Sequence, residues 1–191
     1  MFNFYWHSAS MRQIHGVTLI ELMVVMAIIA ILMAIGIPSF KSITYNVRVT
    51  SEINTMLGDL QFARSEAIKR GQSVTVCTSA DQITCAANSA WGSGWIVFAD
   101  ANNDGTRNGT SEPVLRKQAG LLTNDSFTAL SGTNVVSYIT FNRVGFLRNS
   151  AAVTTDIKMT LQPQNVTVTD WTRCLIAGQI GSLKVSRGIC P

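Results

Sequence analysis

Histidine is nearly missing from this chain of 191 residues, and its placement excludes several classes of enzyme. The sequence has two histidines, His7 and His15, and both precede residue 16. The long remainder therefore lacks a serine–histidine or cysteine–histidine catalytic pair and a histidine ligand for zinc. A pair of carboxylates brought together by folding is the enzymatic alternative that stays open. We expect a protein that is not an enzyme and that has no cofactor.

Charged residues are also few, at 14% of the chain. Fifteen Lys and Arg stand against eleven Asp and Glu, which gives a net charge of +4. A solvated surface of mixed charge routinely gives such a sum, so the charge alone does not require a nucleic-acid partner.

The A-x-A pattern of an ordinary signal-peptidase site is missing after the apolar run, which ends at Gly36-Ile37-Pro38. The apolar segment is therefore expected to be retained.

The most conspicuous stretch that is present runs from Val17 to Ile37. It is apolar throughout, except for Glu21 and Thr18, and it is about as long as the roughly 20 residues that cross a bilayer. A carboxylate at mid-bilayer costs on the order of 2.5 to 3.5 kcal/mol. Glu21 therefore either reaches the headgroups or has a partner within the membrane. We predict a transmembrane helix over residues 17–38.

The residues around Gly16 carry a specific signal. A short basic leader, Met11-Arg12-Gln13-Ile14-His15, precedes Gly16, and Glu21 is the fifth residue after that glycine. The arrangement resembles the processing signal of type IV prepilins and type II secretion pseudopilins. The resemblance implies that prepilin peptidase cuts between Gly16 and Val17, that the new terminus is N-methylated, and that Glu21 pairs with the terminal amine of a neighbouring subunit. Residues 1–16 are then a leader, with Met11 a second candidate start, and Val17 departs from the usual Phe.

An amphipathic pattern follows over residues 39–71. Apolar residues recur at helical spacing on one face: Phe40, Ile43, Val47, Ile53, Met56, Leu57, Leu60, Ala63, Ala67 and Ile68. The opposite, polar face carries the charged residues Lys41, Arg48, Glu52, Asp59, Arg64, Glu66 and Lys69. Lys69-Arg70-Gly71 is a typical helix stop. The two halves together predict one helix of more than fifty residues. Pro38 matches a proline of pilins and is expected to bend or locally melt this helix.

Beyond Gly71 the apolar residues alternate with period two, which indicates antiparallel strands. The expected strands are 73–78, 94–99, 114–116, 135–141, 145–147, 157–161, 171–176 and 181–185. The stretch from Trp91 to Gly105, followed by Glu112-Pro113-Val114-Leu115-Arg116, resembles the GspH/FimT branch of minor pilins and pseudopilins. So do Ile139 to Gly145 and Arg173-Cys174-Leu175-Ile176.

The expected fold class is α+β and pilin-like. A long N-terminal helix, half of it transmembrane, packs its second half (39–71) on an antiparallel two-sheet β-domain over residues 72–191. Trp91 and Trp95 are expected to pack in the core or to anchor a sheet edge rather than to stack on a ligand.

Four cysteines lie beyond the apolar run, and in an exported domain an even number indicates disulfides. Of three connectivities, the spacing favours Cys77 with Cys85 and Cys174 with Cys190. A zinc site built from all four is the alternative. It is disfavoured because intervals of eight and sixteen residues supply no close cysteine pair.

Two further sites are candidates. Asp100, Asn102 and Asp104 begin a D-x-N-x-D-G pattern that resembles a calcium loop, although Glu112 falls one place too late for the twelfth ligand. The alternative is an ordinary turn, which these residue types favour. We therefore prefer the turn and predict that this loop binds no metal ion.

The second candidate is a DNA-binding surface. Some members of the branch bind DNA through a G-R-x-R motif, which here corresponds to Gly181-Ser182-Leu183-Lys184. Ser and Lys replace the two arginines, and Lys lacks the planar fork of Arg. Lys184, Arg187 and Arg173 are the candidate phosphate contacts, with an ordinary solvated tail as the alternative.

These observations together predict a minor pilin of a type IV pilus that supports pilus assembly and DNA uptake in natural transformation. The alternative is a minor pseudopilin of a type II secretion system. The protein is expected to contact other pilins or pseudopilins through its N-terminal helix. Its other expected partners are prepilin peptidase, the inner membrane and double-stranded DNA. The protein is expected to span the bacterial inner membrane once, with a periplasmic C-terminal domain, and to reach the pilus after assembly.

Overall fold

The computed structural model describes residues 16–121, 123, 125–151, 155–164 and 171–191, with the backbone alone at residue 38. The predicted leader, apart from Gly16, and the candidate start at Met11 lie outside these residues. The chain forms two compact units, one up to Ser42 and one from Ile43 to Pro191. A single helix, α1 (Leu19–Arg70, 52 residues), has its first part in one unit and its second part in the other.

In the first unit, α1 begins just after Thr18. The Thr18 hydroxyl accepts a hydrogen bond from the Glu21 backbone N–H (3.2 Å), and the Thr18 carbonyl accepts one from the Leu22 N–H (3.2 Å). Threonine is a favourable residue at this position because its side chain satisfies a backbone donor that the first turn leaves free. The helical backbone continues through Pro38, so the local melting expected there is not present.

In the second unit, α1 buries a stripe that differs in part from the predicted one. Its buried apolar residues follow spacings of three and four, as one face of a helix requires: Val49, Ile53, Met56, Leu60, Ala63 and Ala67. Ile43, Val47 and Ile68 were expected on this face and are exposed, because they lie off the stripe that begins at Val49. The helix ends at Arg70, and Gly71 adopts a left-handed φ of 66°, as predicted.

The described residues form ten strands in two antiparallel sheets of five strands each. The first sheet has the order β3-β2-β1-β6-β7, with β1 Val74–Thr78, β2 Gly94–Ala99, β3 Val114–Ala119, β6 Tyr138–Phe141 and β7 Leu147–Asn149. The second has the order β10-β9-β8-β4-β5, with β4 Ser126–Ser131, β5 Asn134–Val135, β8 Ile157–Gln162, β9 Arg173–Ala177 and β10 Leu183–Arg187. Short 3-10 turns cover Trp91–Ser93 and Gly109–Ser111.

The core lies where α1 meets the inner faces of both sheets. One continuous cluster joins the helix stripe to Val74, Val76, Trp95, Val97, Ile139 and Phe141 of the first sheet and to Phe127, Ala129, Ile157, Met159, Leu161, Leu175 and Ala177 of the second. The alternation of inward and outward residues along β4 and β8 follows from the period of a strand. The expected packing of the second half of the helix on a two-sheet β-domain is therefore confirmed.

Strand existence was predicted better than strand limits. The expected strand 145–147 is wrong at Gly145 and Phe146, which form the turn before β7. The expected strand 135–141 is broken at residues 136–137 between β5 and β6. Strand β4 was missed, although Phe127, Ala129 and Ser131 alternate as buried residues along it.

Both expected disulfides are present. Cys77 is bonded to Cys85 and Cys174 to Cys190, the two local pairs that the spacing favoured. The first bond closes the loop after β1, and the second ties β9 to the chain just beyond β10.

Candidate functional site

The first part of α1 is a candidate assembly surface. It is long and apolar enough to cross a membrane, with a mean hydropathy of 2.8, and none of that window is buried in the structure. Its large side chains between Val17 and Ile37 are 41–79% exposed, which would be unfavourable in water. Glu21 is the acidic residue of its first turn. The surface therefore requires lipid or other apolar helices around it.

The second part of α1 is fixed to the first sheet by a buried carboxylate. Asp59 is 7% exposed; its Oδ2 accepts a hydrogen bond from the Trp95 indole (2.8 Å) and its Oδ1 accepts one from Arg116 Nη1 (3.0 Å). Arg116 also lies over the ring of Phe62, with 3.8 Å from its guanidinium carbon to the ring centroid. Asp59 was assigned to the polar face of the helix, and that assignment is wrong because β2 and β3 cover it. The sequence offered one signal for this contact: a buried tryptophan such as Trp95 needs a hydrogen-bond acceptor for its indole N–H.

The two tryptophans of the Trp91–Gly105 stretch are core residues. Trp91 is fully buried and donates its indole N–H to the Val136 carbonyl (2.8 Å), and Trp95 is 1% exposed. Trp95 also packs edge to face on Phe127 of the second sheet, with ring centroids 6.1 Å apart. Their predicted packing role is consistent with this geometry.

A second charged cluster lies nearer the start of this helical part. Arg48 Nη2 donates to Asp125 Oδ2 (2.7 Å), and Arg48 Nε lies 3.8 Å from Glu52 Oε1. Glu52 Oε2 is buried and has no hydrogen-bond partner among the residues that the structure describes. Burial raises the pKa of Glu52 above its usual value, and the charge of Asp125 raises it further, whereas Arg48 partly offsets both. Sequence reasoning did not identify Asp125, which lies far from the helix along the chain.

The structure does not bring the candidate DNA-binding residues together. Lys184 and Arg187 are both exposed on the edge strand β10, but residues three apart on a strand face opposite sides of the sheet. Leu183 and Val185 share one face with Arg187 and pack against the core. Lys184 therefore lies on the outer face, in register with Ile176 of β9, which is itself in register with Lys158 of β8.

Arg173 has a different role from the one expected. It is 5% exposed, and its Nη2 donates to Asn46 Oδ1 (3.0 Å) and to Thr50 Oγ1 (3.3 Å), both on α1. Burial lowers the pKa of Arg173 from its usual value, and the facing Arg187 lowers it further. We therefore correct its assignment as a phosphate contact, because its guanidinium joins β9 to the helix.

Gly181 forms the turn between β9 and β10. Its φ is 79°, and a Cβ at this position would lie 2.4 Å from the Gly145 carbonyl oxygen. Only glycine fits so close an approach of two backbones. The first residue of the motif is thus explained by packing, independently of any ligand.

Hydrogen bonds to the side chain of Asp100 hold the loop after β2 in place. Asp100 is fully buried; its Oδ2 accepts from Thr75 Oγ1 (2.7 Å) and from the Gly105 N–H (3.0 Å), and its Oδ1 accepts from the Asp104 N–H (3.2 Å). Hydrogen bonds lower the pKa of Asp104 below its usual value. The bond from the Thr106 backbone N–H has the largest effect, and the bond from the Asn108 side chain has a smaller one.

Glu112 completes this loop from the other end. It is 3% exposed and accepts from the backbone N–H groups of Ala101 (3.2 Å) and Asn108 (2.6 Å). Glu112 lies one place after the twelfth position of the calcium pattern, and here its carboxylate binds backbone N–H groups of the loop. Among the described residues, Asp100 and Asp104 belong to no group of three or more His, Cys, Asp or Glu side chains that could hold a metal ion. The geometry favours the turn that was weighed against calcium.

The comparisons with known proteins agree with the fold and the helix. Residues 52–179 match the family model described as Type II transport protein GspH, and residues 11–37 match the prokaryotic N-terminal methylation motif. The chain belongs to the GspH family of pilin-like proteins, which takes in type IV minor pilins and type II secretion pseudopilins. The family and the fold are those of structural pilins, and the apolar helix with its motif indicates membrane anchoring.

A solved structure shows the same architecture. A crystal structure of the type IV minor pilin FimU from Pseudomonas aeruginosa PAO1 has 24% sequence identity and a TM-score of 0.52, over 77% of this chain and 92% of that chain. A second crystal form of FimU has 24% identity and a TM-score of 0.48, over 72% and 90% of the two chains. The first similarity shows the pilin fold. No curated protein matches at a significant level.

Proposed function

We propose that this protein is a minor pilin of a type IV pilus, incorporated into the filament to support its assembly. The observation that carries the proposal is the first part of α1, an exposed apolar helix that begins two residues after Val17 and holds one carboxylate in its first turn. Prepilin peptidase would cut between Gly16 and Val17, and the processed protein would wait in the inner membrane with its second unit in the periplasm. The family membership supports assembly with other pilins.

Glu21 supplies the electrostatic part of this mechanism. A lone carboxylate among apolar helices is costly, and it is stabilised when a cation lies beside it. In the filament, the terminal amine of a neighbouring subunit is the proposed cation. Glu21→Ala should therefore reduce the amount of the protein in sheared pili while its amount in the membrane fraction is unchanged. Thr18→Ala is a control for the start of the helix, and loss of membrane insertion in Glu21→Ala would contradict the mechanism.

The alternative system is a type II secretion system, in which the same helix would build a periplasmic pseudopilus. A deletion strain separates the two. We expect the deletion to reduce surface piliation and to leave the amount of secreted protein unchanged. Loss of secretion with normal piliation would assign the protein to the secretion system instead. Transformation frequency measured in the same strain tests the role in DNA uptake.

DNA binding is a second candidate function, supported by the outer face of the second sheet. Lys158 and Lys184 flank Ile176 there, on three neighbouring strands. Such a surface would bind phosphates without base specificity and with strong dependence on salt. We expect the detergent-solubilised full chain to shift duplex DNA at low salt and Lys184→Glu to weaken this shift. Arg116→Gln, which changes an arginine held by Asp59, is the matched control, and the absence of any shift would refute DNA binding.

A further inference from the structure

Large apolar side chains are exposed at the tips of two hairpins and at the end of α1. Val144 and Phe146 lie in the turn between β6 and β7, Ile180 lies in the turn between β9 and β10, and Ile68 lies in the last turn of the helix. They are 58%, 52%, 66% and 52% exposed, respectively. We call these four residues the tip surface. Turns normally carry polar residues, so apolar side chains in both turns require an explanation.

One arginine joins the three segments. Arg64 of α1 donates from Nε to the Gly145 carbonyl (3.2 Å) and from Nη2 to the Ile180 carbonyl (3.1 Å). The Leu147 N–H donates to the Gln179 carbonyl (2.7 Å), which joins the two turns directly. A Cβ on Gly145 would lie 3.0 Å from the Ile68 side chain. The four apolar residues therefore project from one connected site.

The turns themselves are held in fixed conformations. Asn142 Oδ1 accepts from the backbone N–H groups of Val144 (3.0 Å) and Phe146 (2.9 Å), and the Asn142 N–H donates to the Phe146 carbonyl (2.9 Å). Gly145 and Gly181 supply the left-handed φ angles of 81° and 79° that these turns need. A contact surface that is ordered before binding loses less entropy on association.

The charges of these segments are mainly positive. Residues 64–71, 142–146 and 178–182 contain four cations and one carboxylate, namely Arg64, Lys69, Arg70, Arg143 and Glu66. Glu66 is paired with Arg70 (2.6 Å) and lies 3.5 Å from Lys69. Arg143 is exposed next to Val144. The edge of the tip surface is therefore basic.

We propose that the tip surface is a contact site for another filament subunit, whose facing surface is apolar at its centre and carries carboxylates at its edge. This inference rests on the proposed function, because it assumes that the protein enters a filament. It adds a contact made by the folded domain to the contacts made by the first part of α1. Phe146 and Ile180 are the apolar anchors, and Arg143 and Lys69 select an acidic partner.

An anionic membrane is the other surface that an apolar and basic patch fits. The structure favours a protein partner because the tip surface contains no Trp or Tyr, the residues enriched where proteins meet headgroups. Three of its four side chains also stand on hydrogen-bonded turns and the fourth on α1, which suits the complementary packing of a protein interface.

The test uses the full chain in the bacterium that produces it. A photo-crosslinking amino acid replaces Phe146 in one strain and Ile83 in a control strain. Ile83 is a matched control because it is 53% exposed and lies in the loop closed by the Cys77–Cys85 bond. After irradiation, sheared filaments are collected and the adduct is identified by mass spectrometry. We expect position 146 to crosslink to another filament subunit with about fivefold higher yield than position 83, and Arg143→Glu to lower this yield by roughly threefold.

The outcomes separate this inference from the proposed function. If the protein is present in sheared filaments but position 146 gives no more subunit adduct than position 83, the contact is refuted and the assignment as a pilin stands. A phospholipid adduct at position 146 also refutes the contact and assigns the surface to a membrane. If the protein is missing from the filaments, both proposals fail.

Discussion

Removal of the Asp59 carboxylate should loosen the attachment of the second part of α1 to the β-domain. In Asp59→Ala, the Trp95 indole N–H keeps its buried position and loses its acceptor. A buried donor left without a partner costs about 1–3 kcal/mol. The loss of the ion pair with Arg116 adds about 0.5–1 kcal/mol, because the Arg116 side chain is 47% exposed and can be rehydrated. The free energy of unfolding should therefore fall by about 1.5–4 kcal/mol.

The same structure predicts a much smaller effect for Asp59→Asn. The amide oxygen of Asn can still accept from the indole, and only the charge opposite Arg116 is lost, so the cost should be about 0.5–1 kcal/mol. Urea denaturation of the detergent-solubilised full chain, followed by tryptophan fluorescence, measures both variants. Glu66→Gln, which breaks an exposed ion pair with Arg70, is the control for a surface charge.

Two results would refute this reasoning. If Asp59→Asn is as unstable as Asp59→Ala, the charge rather than the indole hydrogen bond holds the helix. If Asp59→Ala costs no more than Glu66→Gln, the buried network does not contribute to stability. A shift in the emission maximum of Trp95 in Asp59→Ala alone would support the local mechanism.

Three further perturbations follow from the structure. Gly181→Ala should destabilise the fold by at least about 1 kcal/mol more than Gly188→Ala, since both have left-handed φ angles but only Gly181 meets a backbone atom; thermal unfolding compares them. Replacing Cys174 and Cys190 by Ser should cost about 3 kcal/mol in urea denaturation, because their bond closes a loop of 16 residues. Glu52→Gln should flatten the dependence of stability on pH: the raised pKa of Glu52 means that the folded state loses stability as the pH rises from about 4.5, and a variant with an unchanged slope would contradict this.

The long helix, both disulfides and the two-sheet β-domain could be predicted because each leaves a local signal. The apolar run to Ile37, the stop at Gly71 and the cysteine spacings are all read along the chain without knowing what lies nearby in space. Strand β4 was missed although its buried Phe127 and Ala129 alternate, because a strand with small and polar residues gives a weak apolar pattern.

The residues assigned wrongly or missed are those whose roles depend on distant partners. Arg173 was expected on the surface and is buried against Asn46, which is 127 residues away in the sequence. Asp59 was expected to be solvated and is covered by strands that follow it by more than thirty residues. The sequence around a charged helix residue does not show that a tryptophan will contact it in the folded protein. These contacts are therefore visible only in the three-dimensional structure.

The stripe from Val49 to Ala67 has a mechanical consequence. These residues belong to the core of the β-domain, yet they lie on the same helix as the apolar segment that would hold the subunit in a filament. Within the β-domain, a load on the second part of α1 is therefore shared by the many side chains of this stripe. Arg173 of the second sheet binds Asn46 of the helix, and Trp95 and Arg116 of the first sheet bind Asp59 of the helix, so each sheet carries part of the load. A subunit built in this way would carry tension through the core of its β-domain.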